Sequence, residues 1–136
     1  MNKILKDIKK DITENILPVY PFIKDYRIEL VNSRKPYLAF YRHNSIVDNK
    51  GIAIIRLNIP VIYEEVRKEK LSLHDILLTT ILHELGHAIQ NYKGNMGYYD
   101  EEEAETFAYW YWDFGYVFDD IGDNTSCKQK KNLFIG

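Results

Sequence analysis

The sequence predicts an α+β domain in which a small sheet of three strands packs against helices. Segments 3–17 and 73–92 repeat apolar residues at the spacing of amphipathic helices. Between them lie three short segments with strand character, at 26–31, 37–43 and 51–59. Because these strands follow one another without long helices between them, a segregated α+β arrangement is favoured over alternating βα units.

Composition indicates a single soluble domain without a nucleic-acid or membrane partner. Lys+Arg 18 and Asp+Glu 20 leave a net charge of -2, which gives no electrostatic case for nucleic acid. No apolar run approaches the roughly 18 residues that a membrane span requires. The charged N-terminal segment lacks the apolar core of a signal peptide, so we expect a cytoplasmic protein. We expect one domain over 1–121 and a polar, flexible tail over 122–136.

The first half of the chain supplies an opening helix, the strands and a short helix. The opening helix ends before Pro18, because the residue before a proline avoids the helical conformation. Alternation in the strand at 26–31 directs Tyr26, Ile28 and Leu30 inward. The strand at 51–59 is nearly continuously apolar, as expected of a well-buried strand. Residues 60–70 follow as a short helix with a proline in its first turn.

The second half of the chain consists of two helices joined by a loop with two glycines. Ser72 and Asp75 form the S-x-x-D pattern of a helix cap, which predicts a helix over 73–92. A second helix is predicted from about 100 to 116. Its first turn carries four acidic residues, at the end that the helix dipole favours for negative charge.

The segment HELGH, within the helix at 73–92, has the residue types and spacing of a zinc site. His83 and His87 are four residues apart, so they project from one face of the helix, one turn apart. Two imidazoles at this spacing reach one zinc ion, and Glu84 lies beside them as a candidate catalytic base. The single cysteine, Cys127, excludes a cysteine-based zinc ribbon.

A third ligand must come from another part of the chain. A histidine-ligand pattern would place glycine at 90 and histidine at 93, where this chain has Gln90 and Lys93. The carboxylates that open the last helix are the remaining source. We predict Glu103, because it shares the edge of the face that is expected to be buried, with Glu102 and Glu101 as the alternatives. That buried face is drawn through Ala104, Phe107, Ala108 and Tyr111.

The segments LHELGHAIQ and EEEAETFA together resemble the zincin metallopeptidases of the glutamate-ligand type. Among these they are most similar to the small ImmA/IrrE-like peptidases. The resemblance covers about residues 25–116 and implies a zincin fold, with a small mixed sheet packed on the active-site helix. It implies His83, His87 and Glu103 as zinc ligands and Glu84 as catalytic base. One departure is Glu105, where the family usually has asparagine.

From these residues we predict a zinc-dependent metallopeptidase that cleaves a protein or peptide substrate. In the predicted mechanism, zinc activates a water molecule, and Glu84 accepts its proton and passes it to the leaving amine. Tyr98 or Tyr99, in the loop before the acidic helix, is the candidate donor to the oxyanion. The strand at 51–59 is the candidate to pair with an extended substrate.

Two other functions remain open at this stage. One is a zincin-like binding or regulatory module in which zinc only stabilises the fold; such a module has no use for Glu84. The other is a zinc amidase, which would be expected to carry an export signal. The remaining histidines, His43 and His74, are expected to be structural or solvent-facing.

Overall fold

The structure, a computed structural model, describes residues 1–94 and 99–123. It has the predicted α+β architecture, and every predicted helix and strand is present with ends shifted by a few residues. A short helix after the second strand was not predicted. In chain order the elements are α1 Asn2–Asn15, a 3₁₀ turn Leu17–Val19, β1 Asp25–Val31, β2 Ala39–Tyr41, α2 Ser45–Asp48, β3 Ile52–Asn58, α3 Ile59–Glu69, α4 Leu73–Tyr92 and α5 Glu101–Phe114.

The three strands form one mixed sheet in the order β1-β3-β2. β1 runs parallel to β3, and β2 runs antiparallel to it. The prediction that the strand at 51–59 pairs with a substrate is therefore wrong, since both edges of β3 are already hydrogen-bonded to neighbouring strands. A substrate could add only to an outer strand, and β2 is the outer strand beside α4.

A buried asparagine fixes the connection that leads into β2. Asn58, at the end of β3, is fully buried. Its side-chain oxygen accepts the Ser33 amide at 3.0 Å, and its amide donates to the carbonyls of Lys35 and Tyr37. These bonds satisfy the backbone of the β1–β2 loop, so the start of β2 is held against β3.

The core lies between one face of the sheet and α4, with α1 and α5 packed around that helix. Tyr26 points into this core as predicted, with 1% of its surface exposed. Leu30 does not, because it is 48% exposed. Its neighbour in register, Leu57, is fully buried. Leu30 stays uncovered because it lies near the end of an outer strand, with a neighbouring strand on only one side.

α4 and α5 begin and pack as their sequences predict. The Ser72 hydroxyl accepts the Asp75 amide at 3.0 Å, which confirms the predicted cap of α4. Of the predicted buried face of α5, Ala104, Phe107 and Ala108 are fully buried. Tyr111, the fourth member of that face, is half-buried and donates its hydroxyl to Asp11.

The two helices approach each other closely at Gly86. A methyl group added there would lie 3.2 Å from the Ala104 Cβ and 3.3 Å from its Cα. The glycine of the HELGH segment thus lets α5 come near enough to present its first turn to the histidines.

The start of the predicted tail is held by the domain. Gly122 donates its amide to Glu103 at 3.1 Å, and Lys93 forms an ion pair with Asp123 at 2.8 Å. The rest of the predicted tail, 124–136, lies outside the described residues, as does Tyr98. Within 1–94 and 99–123, no helix combines the length and apolar character needed to cross a membrane.

Candidate metal centre

Three side chains from two helices converge at the edge of the α4–α5 contact. The imidazole rings of His83 and His87 lie 4.8 Å apart between centroids and are nearly perpendicular. The Glu101 Oε1 atom lies 2.7 Å from His83 Nε2 and 2.9 Å from His87 Nε2. His87 is buried, with 4% of its surface exposed, whereas the Glu101 side chain is 73% exposed. The site is thus open to solvent on the side of α5.

The structure does not bring Glu103 to the histidines. Its carboxylate accepts hydrogen bonds from Gln90 Nε2 at 2.8 Å and from the Gly122 amide at 3.1 Å. Glu101, the last of the three sequence alternatives, takes the predicted position instead. The physical reason is that the imidazoles lie at the solvent-facing edge of the helix pair. A residue on the polar side of α5 reaches them, while a residue at its buried edge points past them.

Gln90 determines which nitrogen of His87 carries a proton. Its amide Nε2 donates to the Asp100 carbonyl at 2.9 Å and to Glu103 Oε1, and its Oε1 accepts the Asp100 amide. These bonds fix the amide orientation, so the oxygen is the atom that lies 3.0 Å from His87 Nδ1. We therefore assign the proton to Nδ1, which donates to Gln90. In the neutral ring, Nε2 is then a lone pair directed at the Glu101 carboxylate.

His87 Nε2 and Glu101 Oε1 are 2.9 Å apart. If both carry a lone pair on the facing side, they repel each other unless a positive charge lies between them. A proton satisfies this need if His87 is an imidazolium, and a metal ion satisfies it if His87 is neutral. Burial raises the pKa of Glu101, but its hydrogen bond to His83 and the charge of His87 outweigh that effect and hold the pKa below its ordinary value. The carboxylate is therefore ionised at neutral pH, as a metal ligand must be.

A second carboxylate lies on the other side of His83. Glu105 Oε2 is 3.5 Å from His83 Nδ1, while Nε2 of the same ring faces Glu101. This is the position at which the resembled family usually has asparagine. A carboxylate there favours a proton on Nδ1, so the lone pair of Nε2 remains available to bind a cation.

Glu84 lies in the same turn and is buried, with 8% of its surface exposed. The ligand atoms of His83, Glu84 and His87 all lie within 4.8 Å of one another. Burial raises the pKa of Glu84 to about 8; the Tyr41 amide, which donates to its Oε1 at 2.7 Å, lowers the pKa, and the charge of Glu101 raises it further. This carboxyl group can thus exchange a proton near neutral pH, as a general base needs to.

Hydrogen bonds of Tyr41 hold the strand β2 against α4 at the site. Besides the amide bond to Glu84, Tyr41 donates its hydroxyl to Asn91 Oδ1 at 2.6 Å and accepts the Ile46 amide at 3.0 Å. The candidate base and the outer strand therefore keep a fixed relative position. Neither Tyr41 nor Asn91 was singled out by sequence, since the contact joins residues about fifty positions apart.

Tyr99 is the one candidate oxyanion donor that the structure describes. Its ring stacks on His87, with centroids 5.0 Å apart and planes 24° apart. Its hydroxyl is hydrogen-bonded to His43 Nδ1. Burial raises the pKa of Tyr99 to about 12, with a further contribution from Tyr41, so the phenol stays protonated at neutral pH and can donate. His43 is solvent-exposed as expected, but its bond to Tyr99 places it at the site, which its position in the sequence did not indicate.

A cavity of about 390 Å³ opens beside the histidines. His83, Glu84 and Glu101 line it, together with residues of α3, α4, α5 and the start of β2. A substrate segment bound there would be in contact with the candidate base.

Comparison of the chain with protein-family models, curated proteins and solved structures finds no matching family and no significant similarity. The chemical interpretation therefore rests on the residues and their geometry.

Proposed function

We propose that this protein is a zinc metallopeptidase of the zincin type, similar to the small ImmA/IrrE-like peptidases. The observation that carries the proposal is the convergence of His83, His87 and Glu101 beside the buried carboxyl of Glu84. Two imidazoles and one carboxylate are a typical catalytic zinc set, which leaves a fourth position for water or substrate.

The residues present fit a zinc ion. The lone pair of His87 Nε2 faces the Glu101 Oε1 atom. Gln90 holds the His87 ring in place through a hydrogen bond to His87 Nδ1. Such a hydrogen bond on the distal nitrogen is typical of metal-binding histidines. When bound, zinc supplies a Lewis acid that acidifies water and polarises a carbonyl group.

The chain's own residues supply the remaining chemistry. Glu84 takes a proton from the attacking water and delivers it to the leaving amine. Tyr99, protonated at neutral pH, donates a hydrogen bond to the oxygen that becomes negative. A positioned general base of this kind typically contributes about 10²–10⁴-fold to the rate.

The outer edge of β2 supports binding of an extended peptide. The Leu38 carbonyl and the Arg42 amide form hydrogen bonds with β3. Because the backbone groups of successive residues in a strand point to opposite edges, those of Ala39 and Tyr41 point away from β3, toward the free edge of β2. The Tyr41 amide is taken by Glu84, and Ala39 lines the cavity. A substrate strand would therefore pair beside Ala39, next to the base.

The two alternatives are a binding module with structural zinc and a zinc amidase. A closed structural site has no role for a buried carboxyl next to an open cavity, and this arrangement of Glu84 favours an enzyme. An amidase would use the same centre, so the substrate distinguishes it from a peptidase.

The test compares the wild type with Glu84→Gln. Native mass spectrometry should give one zinc per chain for both proteins, because the substitution keeps the Tyr41 bond and removes only the base. Cleavage of a peptide library, read by mass spectrometry, should be lost in the variant and kept in a Glu102→Gln control, which changes an exposed residue of α5. Cleavage by both proteins, or zinc in neither, would contradict the proposal.

A further inference from the structure

The cavity next to the candidate metal centre has a composition that the proposed chemistry does not require. Leu38, Leu71 and Ile76 contribute apolar surface to it. Two glutamates of α3, Glu65 and Glu69, also line it. They lie one turn apart on a helix that supplies none of the proposed zinc ligands, so a different role is needed to explain them.

Acidic side chains outnumber basic side chains in the lining of this cavity. Five glutamates line it, of which Glu84 keeps its proton at neutral pH, and among the described residues neither lysine nor arginine lines it. Like charges at i and i+4, such as Glu65 and Glu69, destabilise an isolated helix. Glu101 and Glu105 are paired with histidines, whereas no ion pair of Glu65 or Glu69 is formed within the described residues.

Tyr109 lies near three of these glutamates. Its side chain lines the cavity from α5. Burial raises its pKa, and the charges of Glu105, Glu69 and Glu65 raise it further. Glu65 and Glu69 of α3 are therefore close enough to Tyr109 of α5 to affect its ionisation.

A threonine side chain of α4 that is mostly buried also lines this cavity. Thr80 is 9% exposed and lines the cavity on the α4 side. Within the described residues it makes no side-chain hydrogen bond, in contrast to Thr79, whose hydroxyl donates to the Asp75 carbonyl at 2.9 Å. The Thr80 hydroxyl can therefore form a hydrogen bond with a ligand that fills the cavity.

We infer that this cavity binds the side chain of a lysine or arginine residue of the peptide substrate. An aliphatic stem fits the apolar surface of Leu38, Leu71 and Ile76, and a terminal cation fits the acidic wall of Glu65 and Glu69. The inference rests on the proposed peptidase function, because it assigns this cavity to a substrate side chain next to the peptide bond that is cleaved.

The experiment uses zinc-loaded wild type and synthetic peptides that carry lysine, norleucine or glutamate at each position in turn. Norleucine keeps the aliphatic stem of lysine and lacks the charge. We expect the cut peptides to carry lysine at one fixed position near the cut bond. A charged hydrogen bond would raise kcat/KM for lysine over norleucine by about 10- to 100-fold.

A double variant assigns the preference to α3. Glu65→Gln together with Glu69→Gln should reduce the lysine-to-norleucine ratio of kcat/KM about tenfold, as expected for the loss of one charge-assisted contact. The control Glu14→Gln with Glu64→Gln removes the same charge outside the cavity and should leave the ratio unchanged.

The outcomes separate this inference from the function on which it rests. Cleavage without a preference for lysine, or an unchanged ratio in the cavity double variant, overturns the inference and leaves the peptidase intact. Failure of the zinc-loaded wild type to cut any peptide overturns both.

Discussion

At the scale of single residues, the candidate metal centre depends on which glutamate of α5 faces the histidines. Glu101 lies within 2.9 Å of both Nε2 atoms, whereas Glu103 bonds Gln90, which in turn holds His87. The two glutamates therefore have different roles. Glu101 is a candidate ligand, and Glu103 positions the candidate ligand His87 through Gln90.

Substitution of these glutamates should separate the two roles. Glu101→Ala should weaken zinc binding the most, because it removes a donor atom. Glu103→Ala should weaken it by about 10- to 100-fold, the usual effect of losing a residue that supports a ligand. Glu102→Ala, at an exposed position between them, is the control and should bind zinc like the wild type. Zinc affinity is measured by competition with a chromogenic chelator.

The opposite order of effects would return the ligand role to Glu103, as the sequence resemblance implies. The sequence identified His83, Glu84 and His87 because they are neighbours on one helix, where spacing alone fixes their relation. It ranked Glu101 behind Glu103 and Glu102 and gave no site role to Gln90 or His43, because their roles follow from how separate segments meet.

At the scale of elements, the separation between α4 and α5 determines whether Glu101 reaches the histidines. Gly86 faces Ala104, one turn after Glu101. The sequence predicted both helices and the buried side of α5, because an amphipathic pattern is local. The short helix α2 was missed, since a helix of 4 residues leaves no periodic pattern.

A methyl group at Gly86 should weaken zinc binding through this contact. In Gly86→Ala the new Cβ meets the Ala104 Cα at 3.3 Å, tighter than ordinary contact, so α5 must move by a few tenths of an ångström. The helix propensity of alanine, about 1 kcal/mol above that of glycine, offsets part of the lost stability. We therefore expect zinc affinity to fall while the melting temperature of the metal-free protein changes little.

A second substitution serves as the control for that movement. Ala104→Gly removes the facing methyl group, and the pair Gly86→Ala with Ala104→Gly should recover part of the zinc affinity. Unchanged affinity in Gly86→Ala alone would show that the helix separation does not limit the site.

At the scale of the whole molecule, a buried acid makes the stability of the metal-free protein depend on pH. Burial raises the pKa of Glu84 to about 8 in the folded state, against an ordinary value of 4.5. Between these values the folded protein keeps a proton that the unfolded chain has lost. Stability from this residue is therefore fully present below pH 4.5, and is lost as the pH rises toward 8.

Glu84→Gln should remove this dependence. Urea unfolding of metal-free protein should show little difference between variant and wild type near pH 4.5 and a growing advantage for the variant up to pH 8. The advantage is on the order of a few kcal/mol. The lowered pKa of Glu101 acts in the opposite direction and is present in both proteins, so the difference between them depends mainly on Glu84. A constant difference across this range would exclude a raised pKa, and Glu102→Gln provides the control at an exposed position.

The sequence by itself determined the α+β class, the helices and strands other than α2, and the grouping of His83, Glu84 and His87 on one helix. Each of these is set by the spacing of residues along one element, so the amino-acid sequence alone contains the information. The tertiary structure decided the rest: β3 at the centre of the sheet, the outer edge at β2, and Glu101 rather than Glu103 at the imidazoles. These features depend on which faces of separate elements meet, and Gly86 and Ala104 set that contact across 18 positions of the chain.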